Sequence, residues 1–100
     1  MEAITRKRYS LLAQVSTDNP AAVRPILERL ITHGTVTAGE VEQEFRVRAV
    51  LEGSSARDLN RRLLSELRRV EKRTRLRSEW TSGGTTERFF DYVRKGKQRA

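Results

Sequence analysis

Apolar and polar residues alternate along the chain with two periods, and the switches between them mark out the elements. Over residues 54–77, Ala56, Leu59, Leu63, Leu67 and Val70 recur in steps of three and four, which keeps one face of a helix dry. Ser55 followed three residues later by Asp58 makes a capping-box start, and Gly53 breaks whatever precedes it. Running to about residue 74, this helix is roughly 30 Å long at ~1.5 Å per residue. Opposite its stripe stand Arg57, Arg61, Arg68 and Lys72, with Arg62, Arg69 and Arg73 on the flank.

A period of two governs most of the rest. Residues 6–16 place Tyr9, Leu11, Ala13 and Val15 on one face and Arg8, Ser10, Leu12 and Gln14 on the other, a half-wet strand. From Val41 to Glu52 the alternation is longer: Val41, Gln43, Phe45, Val47, Ala49 and Leu51 against Glu42, Glu44, Arg46, Arg48, Val50 and Glu52. After the basic helix, Leu76, Ser78 and Trp80 alternate with Arg75, Arg77 and Glu79. Ser82-Gly83-Gly84-Thr85 signals a hairpin turn, and Phe89, Asp91 and Val93 then alternate with Phe90, Tyr92 and Arg94. The competing reading of that last stretch is a short helix capped by Thr85 and closed by Gly96; the hairpin is favoured.

Between the first two strands, Asn19 as cap and Pro20 at the first helical position open a second helix. Val23, Leu27, Leu30 and Ile31 follow helical spacing, and Gly34 is a natural stop. Pro25 lacks the N–H that the second turn needs, so a start near Arg24 competes with one at Pro20. His33 falls in the last turn on this reading. Residues 35–39 form a connector with room for a short strand around Val36.

The expected order is β-α-β-α-β-β, an α+β fold with two helices on one face of a mainly antiparallel sheet. It is expected to form a single domain over residues 1–100, with 96–100 a frayed basic tail. The other face of the sheet stays open, showing Leu12, Gln14, Arg46, Arg48, Val50, Arg75, Arg77, Phe90 and Tyr92. A one-residue slip in register would exchange the two faces. This ladder resembles ferredoxin-like two-layer domains, and its order is similar to that of the C-terminal domain of bacterial translation initiation factor 3. ACT-type ligand-binding modules share the architecture, but STDNP stands where their Gly-rich loop would follow the first strand. ERFFDYVRK lacks the glycines and spacing of the aromatic strand in RNA-recognition-motif domains. These resemblances imply a fold and leave function to the residues.

The chain has 100 residues, 36% hydrophobic and 34% charged, with a net charge of +8. Residues 1–52 are neutral, so the whole excess belongs to residues 53–100. Of the 21 basic residues, 17 are Arg, which suits bidentate phosphate recognition and equally follows from a GC-rich genome. No apolar run approaches the ~20 residues of a membrane span, and the N-terminus reads as mature sequence without a signal peptide. The absence of cysteine fits a reducing cytoplasm and rules out thiolate chemistry.

No catalytic constellation emerges. The lone His33 has no Ser-and-carboxylate pattern around it, Gly83-Gly84 lacks the Lys-Ser/Thr of a phosphate-binding loop, and no dinucleotide fingerprint is present. Glu40, Glu42 and Glu44 share a face, but no further carboxylates are patterned to complete a cation site, so they read as a solvated surface. No cofactor or metal is predicted. The expectation is a small, basic, non-enzymatic nucleic-acid binder, for RNA or single strands in preference to duplexes. Arg57, Arg61, Arg68 and Lys72 on the helix are the first candidate surface. Arg46, Arg48, Arg75, Arg77, Phe90 and Tyr92 on the sheet are the second. Asp58–Arg62 and Glu71–Arg75 pairs at i,i+4 would reduce the helix's free charge. The competing expectations are an acidic protein partner for the helix, or a homodimeric structural or regulatory module joined through the open sheet, with Leu12, Val50 and Phe90 at its centre.

Overall fold

A computed structural model describes residues 7–90. In chain order it contains β1 (Lys7–Ser16), α1 (Pro20–Leu30), β2 (Gly34–Ala38), β3 (Glu44–Gly53), α2 (Ala56–Val70), β4 (Arg75–Ser82) and β5 (Thr85–Phe90). The strands form one sheet in the order β2-β3-β1-β4-β5, and every neighbouring pair is antiparallel. The connector expected after α1 is thus a five-residue edge strand, which makes the order β-α-β-β-α-β-β.

Both helices lie on one face. Leu11, Val15, Phe45, Val47, Leu76 and Trp80 point from the strands into one core with Val23 and Leu27 of α1 and Leu59, Leu63 and Leu67 of α2. Residues of the opposite parity are left outside, as the alternation requires. Tyr9 meets Trp80 edge-on, with ring centroids 6.4 Å apart at 84°, a favoured aromatic geometry.

The local start and stop signals act largely as written. Ser55 Oγ accepts from the Asp58 N–H at 3.0 Å, and Asn19 Oδ1 accepts from the Ala22 N–H at 3.3 Å. Gly83 and Gly84 have φ of 59° and 85°, the positive values that a two-residue type I′ hairpin demands at both positions. Ser82 pairs with Thr85 across it, so residues 85–90 are a strand. Ser55→Ala is expected to cost about 1 kcal/mol by removing the cap; urea denaturation followed by circular dichroism measures it.

Several expectations are corrected. The competing start of α1 near Arg24 is not taken: the helix begins at Pro20 as its cap signal indicates, and Pro25 is accommodated inside it on the exposed side. The helix ends at Leu30, so Gly34 opens β2, and His33 lies beyond the helix with its carbonyl accepting from the Val50 N–H at 2.9 Å. β3 starts at Glu44; Val41 sits in the preceding turn and is 61% exposed. α2 ends at Val70, which is 42% exposed. Its buried face is rotated from the apolar stripe towards Asn60 and Leu64, both of which are buried. Tyr92 and the basic tail at 96–100 lie outside the described residues.

Candidate functional site

Rotation of α2 changes what its basic residues can do. Arg68 falls on the flank of the buried face, where its Nε donates to the Thr74 carbonyl at 2.9 Å. Lys72 stands past the C-cap, Glu71, and is not on the helix. Arg61 pairs with Asp58 at 3.2 Å instead of Asp58 pairing with Arg62, and Glu71 accepts from the Arg73 N–H instead of pairing with Arg75. Only Arg57 and Arg61 of the expected line present exposed side chains from the helix itself. The four cations do not make a continuous rod.

The sheet keeps its expected face. Register places Thr37, Arg46, Gln14, Arg77 and Phe90 in one row across all five strands. The next row holds Thr35, Arg48, Leu12, Glu79 and Arg88. Arg75 follows two residues before Arg77 on the same side of β4, opposite Ser16. The Arg77 guanidinium lies 4.7 Å from the centroid of the Phe90 ring, a cation–π contact. Phe90 is nevertheless 59% exposed, with Leu12 at 47% and Val50 at 37%. Leu12, Gln14, Arg77 and Phe90 border one shallow depression; Gln14, Arg75, Arg77 and Phe90 border a second beside it.

Charge on this face is unevenly compensated. Arg46 pairs with Glu40 at 3.0 Å, and Arg88 with Glu79 at 3.1 Å. Gln14 Nε2 donates to Glu44 Oε2 at 2.7 Å, which fixes the orientation of that carboxamide. Arg48, Arg75 and Arg77 have no carboxylate within ion-pair distance among the described residues. Exposed pairs contribute little and exchange readily, so the face presents a surplus of guanidinium beside an accessible aromatic ring. Among the described residues, no group of three or more His, Cys, Asp or Glu is placed to hold a metal ion, and no helix is long and apolar enough to cross a membrane.

Two features were not foreseen in the sequence. Arg73 appears there on the flank of a helix extended to about residue 74, whereas it stands exposed in the turn between α2 and β4, two residues before Arg75; the spacing of arginines in RTRLR is its signal. Asn60 is wholly buried under the sheet, its Oδ1 accepting from Ser78 Oγ and, at 3.1 Å, from Trp80 Nε1. Its position between Ala56 and Leu64 on the i±4 row could have placed it inside. The chain matches no protein-family model, no curated protein and no solved structure at a significant level.

Proposed function

We propose that this chain is a non-enzymatic nucleic-acid-binding protein of the cytoplasm that takes single strands, RNA above all, on the open face of its sheet. The strand order β2-β3-β1-β4 with two helices behind it supports a ferredoxin-like reading of the fold, with β5 as an added edge strand. The observation that carries the reading is Phe90, exposed beside Arg77, with Arg75 on the same surface left without a carboxylate partner among the described residues. An accessible aromatic ring offers stacking to an unpaired base, and guanidinium groups around it offer charge-assisted hydrogen bonds to phosphate. A duplex hides the faces of its bases, so this chemistry favours single strands.

Fluorescence anisotropy of labelled oligouridylate against salt tests it. Three or four phosphate contacts give a log–log slope of about −2 to −3 at ~0.7 per phosphate. A flat salt dependence, or no binding at low salt, would overturn the reading. Exposure of Leu12, Val50 and Phe90 on the same face supports a second reading, a homodimer joined sheet to sheet. That reading requires a mass that rises with concentration in light scattering and falls back when Phe90→Lys places a charge in the contact.

A further inference from the structure

The segment Arg73-Thr74-Arg75-Leu76-Arg77 puts an arginine at every second position while Thr74 and Leu76 are wholly buried between them. The arrangement is held from behind. Thr74 donates its hydroxyl hydrogen to Thr17 Oγ1 at 3.2 Å, and its carbonyl accepts from Arg68 Nε at 2.9 Å. With residue 74 anchored inward at both groups, its neighbours 73 and 75 turn to solvent, and Arg77 follows on the strand. Arg75 and Arg77 are successive outward positions on β4, about 6.7 Å apart from a rise of ~3.3–3.4 Å per residue, and Arg73 stands in the turn that leads into the strand. That spacing is comparable to the distance between adjacent phosphates in an extended single strand of nucleic acid.

The row is also continuous with a concave site. Asp18, Arg68, Arg73 and Arg75 line a cleft at the end of the sheet, and Arg75 is shared with the depression that holds Arg77 and Phe90. The sole carboxylate in that cleft, Asp18, meets Arg73 at 3.8 Å, with both side chains mostly exposed. Such a long, solvated pair is weak, and a phosphate can take the carboxylate's place. Arg46 and Arg48 sit on β3, with β1 between them and β4. A backbone following the β4 arginines does not reach them at the same time.

We infer that Arg73, in the turn before β4, and Arg75 and Arg77, on β4, form a phosphate track, so that a bound single strand runs parallel to this strand, from the cleft beside Asp18 towards Phe90. The inference rests on the proposed nucleic-acid reading and adds the path and the residues that set it. Three consecutive phosphates occupy the three arginines, and the base at the Arg77 end reaches the Phe90 ring. Asp18 competes with the first phosphate for Arg73.

The test is anisotropy of a short labelled oligouridylate with single variants, each checked for an unchanged circular-dichroism melt. Arg73→Gln, Arg75→Gln and Arg77→Gln are each expected to reduce the salt slope by about 0.7, and Arg46→Gln and Arg48→Gln to leave it unaltered. Asp18→Asn is expected to raise affinity about two- to threefold at low salt, a gain that a merely structural role for Arg73 does not produce. Loss of slope centred on Arg46 and Arg48 would overturn the track while leaving the nucleic-acid reading intact. Equal effects from all five variants would do the same. A parent protein that binds no oligouridylate at low salt would overturn both.

Discussion

Trp80→Ala is expected to destabilise the fold by about 3–5 kcal/mol, the range for removing a large aromatic side chain from a packed core. Trp80 is wholly buried, lies beside Leu11 on the central strand, and takes the edge of Tyr9. Its Nε1 also donates to Asn60 Oδ1 and Ser78 Oγ, each at 3.1 Å. Alanine therefore leaves a void between α2 and the sheet and takes a donor from a buried polar cluster. Among the described residues Asn60 Nδ2 is buried without a hydrogen-bond partner, so the cluster already carries one unpaired donor. Against a typical stability of about 5–15 kcal/mol, the loss brings a chain of this size close to its unfolding threshold. Trp80 is the only tryptophan, so the comparison with the parent uses circular dichroism in urea, not intrinsic fluorescence. A loss under about 1 kcal/mol would show that the core does not close around this residue.

Combining Arg75→Gln, Arg77→Gln and Phe90→Ala is expected to weaken single-strand binding on the order of 100-fold, with a salt slope shallower by about 1.4. Stacking of a base is worth about 1–3 kcal/mol, and two phosphate contacts account for the change in slope at ~0.7 each. All three side chains leave the sheet on the side away from the core, so the fold should change by no more than about 0.5 kcal/mol per site. The matching control replaces Arg57, Arg61 and Lys72 with Gln and spares Arg68, whose Nε holds the Thr74 carbonyl. Binding by that variant is expected to stay within about twofold of the parent. The opposite pattern, with the α2 variant crippled and the sheet variant intact, would return the binding surface to the helix.

The contrast between these two surfaces shows where sequence patterns carry information. A strand has a strict period of two, so Leu76 and Trp80 inward require Arg75 and Arg77 outward. Much of the open face could be read from that rule, and Arg46, Arg48, Arg75, Arg77 and Phe90 all stand on it, whereas Thr35 and Thr37 join it from a strand the pattern did not define. A helix has a broad buried sector, and apolar residues alone do not define its centre. Asn60 belongs to the buried sector of α2 because Trp80 and Ser78 supply it with hydrogen-bond donors. Those partners are 18 and 20 residues away in sequence, and no local pattern announces them.

Local chemistry by itself determined the cap at Ser55, the opening of α1 at Asn19 and Pro20, the glycine hairpin, and the two faces of each long strand. Each depends on residues within a few positions of one another, where sterics and backbone hydrogen bonding decide the outcome. Tertiary structure decided the rest. Val36 became part of an edge strand because β3 offers it a ladder of partners, although its own neighbours are weakly patterned. Val41 and Val70 stayed exposed because the core ends before it reaches them. Arg68 was drawn to the Thr74 carbonyl, while Arg73 was left in the turn before β4, because α2 closes at Val70 and the chain must turn there to enter the sheet. Packing between distant elements sets where a helix stops and which way it is rotated, and those two quantities broke the expected line of cations on α2 by taking Arg68 to its flank and leaving Lys72 beyond its end.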